Sequence, residues 1–411
     1  MTGGVCWKRS LDATKIRNYL IKNGYKVVNN IRDADVVVLI TCAFLNQKAE
    51  ESHRLVKKYL KRGVELVVAG CLPAVEKDKL REYFDGPTIE TKNLSEDIER
   101  IFPPTRIRFD ELHDSNILFE DLVEGHSLLD SLKKKIEWLE VVEKKILSIK
   151  DCILKSIFGE NSPIYKFSKK QYHVRVAWGC TGNCSYCTIK KSTGSFRSKP
   201  IDVCINEFRM GLEKGYKNFI LDATDVGAYG IDINSSFPEL LKKLTSFNGD
   251  YYISIRELNA KWVVRYVEEL IEILKKNKIL LFDIAIQSAS PRILKLMKRP
   301  TDIEKLREAL MKIREVKADF FLTCEFIVGF PTETEEEFMQ SLDFIRDIGF
   351  DGGQIYEFSC RPGTEAENIE PKIPRKEILR RIRIAKKYLK SCGYKSVHLP
   401  NQGILVFRKK I

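Results

Sequence analysis

Histidine is scarce in this chain of 411 residues. The five present, at positions 53, 113, 126, 173 and 398, include no pair at the spacing of helix-borne ligands, which argues against a histidine-based zinc site. Long apolar runs are missing too. No stretch approaches the roughly 18 residues that suggest a membrane span, and the opening MTGGVCWKRS carries no apolar signal region. A cytoplasmic protein without a membrane partner is the expectation. Its eleven cysteines then read as thiols or metal ligands and not as a disulfide framework. Acidic residues are the minority, 57 against 70 basic, for a net charge of +13. That surplus suits a polyanion such as RNA, because lysine and arginine hold phosphates; a basic surface without a partner is the plain alternative. Hydrophobic and charged contents of 44% and 31% are those of an ordinary globular chain with room for two or three domains.

Residues 1–100 alternate helix and strand. SLDATKIRNYLIKNGY reads as a helix ending at Gly24, and LNQKAEESHRLVKKYLKRG as a second helix stopped by Gly63. ADVVVLIT and VELVVAG are apolar, β-branched runs of the kind buried on both faces of a parallel sheet. The paired prolines 103–104 break this pattern. Beyond them Leu132, Ile136, Leu139, Val142, Ile146, Ile149 and Ile153 make one apolar stripe, expected as a helix that packs on its own surroundings or serves substrate recognition. From 166 to 390 strand and helix patterns alternate through about six βα units, expected as a partial (β/α)6 barrel of the TIM type. Thr334 and Glu337 supply a capping box to one of its helices. The expected division is therefore a small open parallel-sheet domain (1–100), a helical linker or insert (101–165), the barrel (166–390) and a short tail (391–411).

Cysteine placement carries the chemistry. WGCTGNCSYC sets Cys180, Cys184 and Cys187 just past a strand, with Gly179 and Gly182 giving the loop backbone freedom. Four thiolates would close a tetrahedral zinc site, and three without histidine leave it open. A cubane iron–sulfur cluster held by three thiolates keeps one iron free for a small molecule. A second set follows the same logic. Cys42 and Cys71 each directly follow an apolar strand and Cys6 precedes the first helix, so all three fall at the crevice where open parallel sheets bind ligands. The remaining cysteines, 152, 204, 324, 360 and 392, lack paired spacing and read as core thiols.

The pattern C-x3-C-x2-C with Tyr186 before its last cysteine resembles the signature of radical S-adenosylmethionine (SAM) enzymes. VAWGCTGNCSYCTIKKSTGSFRSKP, LDATDVGAYGID, IQSASPRILKLMKR, IVGFPTETEEEF and RPGT resemble successive motifs of the methylthiotransferase branch. Cys6, TCAFLNQKAEES and VAGCLPA match that branch's amino-terminal triplet. The resemblance implies two 4Fe-4S clusters, one on Cys180, Cys184 and Cys187 that splits SAM, and one on Cys6, Cys42 and Cys71 that carries sulfur. It implies SAM contacts from Tyr186, Ala223, Thr224, Asp225 and Gln287, no catalytic residue beyond the clusters, and an external electron donor.

The chain departs from the branch at three places. Only five residues precede Cys6, and Arg9 stands where an asparagine is usual; a start placed too late would explain the first of these and not the second. About twenty residues follow the last helix in place of a small RNA-gripping barrel, and 101–165 is longer than the usual connection. The leading expectation is methylthiolation of a tRNA adenosine. The alternatives are the same reaction on a protein or ribosomally made peptide, and a non-catalytic metal-binding protein with RNA-binding surfaces.

Overall fold

The computed structural model describes residues 5–28, 30–123, 166, 170–316 and 320–410. Val36–Thr41 (β1), Glu65–Gly70 (β2) and Thr88–Glu90 (β3) form a parallel sheet in the order β1-β2-β3. Its strands are apolar on both faces because both are covered. Val37, Leu39, Leu66 and Val68 pack with Val56 of the helix Asn46–Leu60, and Ile40, Val67 and Ile89 pack with Ile16 and Tyr19 of the helix Trp7–Lys22. Each such side chain buried contributes about 1.5–3 kcal/mol. The first helix starts three residues before the Ser10 expected from the sequence, because Cys6 has extended backbone (ψ 162°) and its carbonyl accepts the N–H groups of Arg9 and Ser10 at 3.0 Å. It ends as expected before Gly24, whose φ of +88° continues no helix.

The larger body has six parallel strands, β4 (Gln171–Arg175), β7 (Asn218–Asp222), β8 (Tyr252–Asn259), β9 (Ile279–Gln287), β10 (Phe321–Val328) and β11 (Gly352–Glu357), in that spatial order. Two short strands, β5 (Ala177–Trp178) and β6 (Arg197–Ser198), pair antiparallel beside β4. This is the expected partial barrel, with helices on its outer face. The expected capping box is present: Thr334 Oγ1 accepts from the Glu337 N–H at 3.2 Å, and Glu337 accepts from the Thr334 N–H at 2.9 Å. The stretch expected as a short tail is instead a hairpin, β12 (Tyr394–Leu399) and β13 (Ile404–Lys409), which adds to β11 and makes the sheet eight-stranded. Tyr394, Leu405 and Phe407 alternate inward and bury, giving this segment a reason to pair.

Ion pairs lock the two sheets together. Arg175, at the end of β4, reaches Asp12 at 2.7 Å and donates to the Lys8 carbonyl at 2.7 Å. Lys8 meets Glu257 at 2.6 Å, Lys199 meets Asp114 at 2.8 Å, and Arg361 meets Glu76 at 2.7 Å. Asn116 exchanges two hydrogen bonds with the backbone of His173, at 2.9 and 2.8 Å, and so covers the open edge of β4. The apolar stripe Leu132–Ile153 lies outside the described residues. Among those described, no helix is long and apolar enough to cross a membrane.

Candidate active site

Gly179 makes the turn from β5 into the cysteine loop. Its φ is +70°, and a Cβ there would stand 2.1 Å from the Ser195 carbonyl oxygen, so only glycine fits. The loop then folds back on itself. Cys187 N–H donates to the Cys184 carbonyl at 3.1 Å, while Ser185 anchors to the Met297 and Leu296 carbonyls at 3.2 and 2.7 Å. Gly182 sits between two sulfurs: a Cβ on it would lie 3.3 Å from Cys180 Sγ and 3.7 Å from Cys184 Sγ. Each sulfur has a donor: Gly182 N–H to Cys180 at 3.2 Å, Ile189 N–H to Cys187 at 3.4 Å, and Arg299 Nη1 to Cys184 at 3.8 Å. Burial pushes the Cys180 and Cys187 thiols up, to about 11 and about 12. A metal must therefore displace their protons as it binds.

The second triplet gathers at the carboxyl ends of β1 and β2. Thr41 pairs with Gly70 in the ladder, so Cys42 and Cys71, one residue on, are neighbours. The Cys71 N–H donates to the Thr41 carbonyl at 3.2 Å, and Ser52 Oγ bridges the Cys42 N–H and carbonyl at 3.1 and 2.8 Å. Cys6 caps the first helix beside them. Burial pushes Cys42 up to about 12, and negative charge on Cys6 and Cys71 pushes the same way. Cys71 is raised by burial and by Cys6, against the pull of the Arg9 guanidinium and the hydroxyl of Ser192, a residue of the helix that follows the other cysteine loop. The two triplets thus face one junction. Lys8, Arg9, Arg175, Trp178, Thr193, Ala223 and Thr224 line a cavity of about 30 Å³ there.

Among the described residues no three Cys, His, Asp or Glu side chains converge on the position of a single metal ion. Thiol-only donor sets, spread around a glycine that leaves space between sulfurs, fit a larger multi-iron group better than one zinc.

The expected SAM-side residues cluster at the ends of β7 and β9. Thr224 lines the cavity, and Ala223, before it, is buried. Asp225 is 2% exposed; its Oδ1 accepts from Trp262 Nε1 at 2.7 Å and its Oδ2 from Thr181 of the cysteine loop. Gln287 ends β9 at φ +84°, beside a register shift opposite Glu325 and Phe326. A non-glycine residue held there stores about 1–3 kcal/mol, which the surrounding packing must offset. The Tyr186 ring leaves the cavity and packs edge-on to Phe330, 6.5 Å between centroids, so any contact it makes towards SAM comes from its backbone. Cys204 and Cys324 are core thiols as expected, Cys360 and Cys392 are half-buried, and Cys152 lies outside the described residues.

One group of residues was missed. Arg256 and Glu257 (β8), Asp283 (β9), Glu325 (β10) and Tyr356 (β11) meet inside the barrel, with Lys8 and the Trp7 ring above them. Arg256 lies 4.1 Å from the Trp7 centroid and 3.6 Å from Asp283, and Tyr356 donates to Glu325 at 3.4 Å. The charged letters in YYISIRE, ILLFDIAIQS and FFLTCEF were the available signal.

Burial pushes Glu325 up to about 8, helped by the Asp283 and Glu257 carboxylates and opposed by Arg256 and Lys8. The fold therefore prefers the neutral acid. That contribution is complete below the ordinary carboxyl range and is lost as pH rises through about 8. Glu325→Gln is expected to gain in Tm relative to the parent chain between pH 5 and pH 9; thermal melts giving a pH-independent difference would contradict this placement.

A Radical SAM superfamily model matches residues 175–345, and a model described as Uncharacterized protein family UPF0004 matches residues 2–89. A Methanocaldococcus jannaschii protein named probable threonylcarbamoyladenosine tRNA methylthiotransferase is 29% identical over 395 residues, 95% of this chain and 83% of that one. The ribosomal protein uS12 methylthiotransferase RimO of Thermosipho africanus is 30% identical over 382 residues, 90% of this chain and 77% of its own. Among solved structures, the radical S-adenosylmethionine methyltransferase TsrM from Kitasatospora setae superposes with a TM-score of 0.57 at 12% identity, over 97% of this chain and 80% of that one, a likeness of fold. Membership of the radical SAM superfamily brings a 4Fe-4S cluster and SAM with it. With matches of this extent across both bodies of the fold, the chain belongs to the radical SAM methylthiotransferase family and is an enzyme of that class.

Proposed function

We propose that this enzyme replaces an unactivated C–H hydrogen of a tRNA adenosine with a methylthio group, using two 4Fe-4S clusters and SAM. The observation that carries the reading is the pair of cysteine triplets turned to one junction between the sheets, with Ser192 of one loop against Cys71 of the other. Cys180, Cys184 and Cys187 hold the cluster that binds and splits SAM, and Cys6, Cys42 and Cys71 hold the one that carries sulfur. These cofactors supply the radical and the sulfur. The chain's own residues position them. Thr224, Gln287 and the Tyr186 backbone contact SAM, while Asp225 fixes the cysteine loop through Thr181 and Trp262. An external donor delivers electrons, and a reduced cytoplasm keeps the thiols available.

RNA as substrate is supported by the charge of +13 and by the name of the M. jannaschii relative. The RimO name of the T. africanus relative favours a ribosomal protein. Mass spectrometry of nucleosides and of ribosomal peptides from cells with and without the gene separates them. Loss of a methylthioadenosine species is expected; an unchanged nucleoside profile with loss of a methylthiolated peptide would move the substrate to protein.

A further inference from the structure

Arg9 lies in the first turn of the helix that Cys6 caps, and it is 4% exposed. A guanidinium so buried is costly unless its N–H groups and its charge are answered. Nη2 meets Asp12 at 3.1 Å, yet Asp12 is also held by Arg175 at 2.7 Å, so two cations share one carboxylate. Lys8 is taken by Glu257 and adds no free anion. Nη1 is buried with no hydrogen-bond partner. The groups left facing it are sulfurs: the negative charges of Cys71 and Cys6 hold the guanidinium protonated, against burial and the nearby Arg175. The other triplet has a matching feature, since Arg299 is fully enclosed and points Nη1 at Cys184 Sγ, 3.8 Å away.

Resting on the two-cluster reading above, we infer that Arg9 is a positioning residue that directs its surplus charge and its free N–H at the sulfur ligands of the second cluster and raises that cluster's reduction potential. Charge and hydrogen bonds at the sulfurs are among the protein's means of setting such potentials. A raised potential suits the chemistry. When a substrate carbon radical takes a methylthio group, the new carbon–sulfur bond uses one electron from the radical and one from the iron–sulfur bond. The remaining electron of that bond stays on the metal centre, which is thereby reduced by one. A cation beside its ligands favours that reduced state.

The test uses the full chain carrying Cys180→Ala, Cys184→Ala and Cys187→Ala, so that only the second triplet binds a cluster after anaerobic reconstitution. Redox titration followed by electron paramagnetic resonance compares Arg9 with Arg9→Gln and Arg9→Lys. The Gln form should fold, because Asp12 keeps Arg175. Its reduced-to-oxidised ratio at fixed potential is expected to fall about tenfold, a midpoint lower by ~59 mV for one electron, with Lys recovering most of it. Equal midpoints in all three forms would overturn the inference. Should the Gln form lose its iron, the Lys form decides: a parental midpoint supports the inference and a lowered one overturns it. A parent chain that takes up no iron in this background overturns the two-cluster reading itself, and iron analysis detects that before any titration begins.

Discussion

Cys184→Ala is expected to abolish reductive cleavage of SAM and to lower the iron content of the reconstituted chain from about eight atoms to about four. Cys184 is the middle ligand of its loop: its carbonyl accepts from the Cys187 N–H, and its sulfur takes the Arg299 donor. Alanine removes the sulfur and leaves the backbone turn, so two thiols remain where three are needed to hold a cubane with one free iron. Groups that only support a metal ligand are worth roughly 10- to 100-fold in activity. Loss of the ligand itself exceeds that, and 5′-deoxyadenosine formation under reductant should fall to background. Cys204→Ala is the matched control. That thiol is fully buried beside Phe208, so its loss costs stability and leaves iron and cleavage unchanged. A Cys184→Ala chain with full iron and normal cleavage would remove this loop from the cofactor site.

What the sequence disclosed and what it hid divide along physical lines. β1 and β2 were legible because both of their faces are buried, which leaves an unbroken apolar run. Cys42 and Cys71 were legible because parallel strands end on one side, so two cysteines at matching strand ends meet without any knowledge of long-range contacts. β3 was not legible: three residues, Thr88–Glu90, are too few for any period to show. The hairpin β12–β13 buries one face only, and its outer Val397 and Val406 are exposed, so its alternation resembled a loose end. The interior charges were visible as letters but not as a group. Arg256, Asp283 and Glu325 come from three strands, and only closure of the barrel brings them together. The Asp12–Arg175 pair spans 163 positions, a separation that no local pattern encodes. The same pair explains Arg9, which broke the expected motif: the fold had already supplied a second arginine for the carboxylate beside it.

Cys42→Ala and Cys71→Ala are expected to separate the two halves of the reaction. Each should leave about four irons, retain SAM cleavage, and give no methylthiolated product. The geometry makes this a clean substitution. Gly70, just before Cys71, has φ +104°, and a Cβ there would stand 2.4 Å from the Thr41 oxygen, so the strand ends are fixed by backbone contacts that alanine at 42 or 71 does not touch. Cys42 is also held through main-chain bonds to Ser52 Oγ, which survive loss of the sulfur. The Cys180 loop draws its support from Leu296, Met297 and Arg299, on the far side of the barrel mouth from β1 and β2. Loss of iron at one triplet should therefore not spread to the other. Iron analysis, 5′-deoxyadenosine yield and product mass spectrometry on the same preparations give three readings whose pattern decides the matter. Iron at about eight in both variants, or methylthiolated product from either, would mean that sulfur is delivered from elsewhere. Loss of SAM cleavage together with the product would mean that the two triplets act as one unit, contrary to the separate anchoring of their loops.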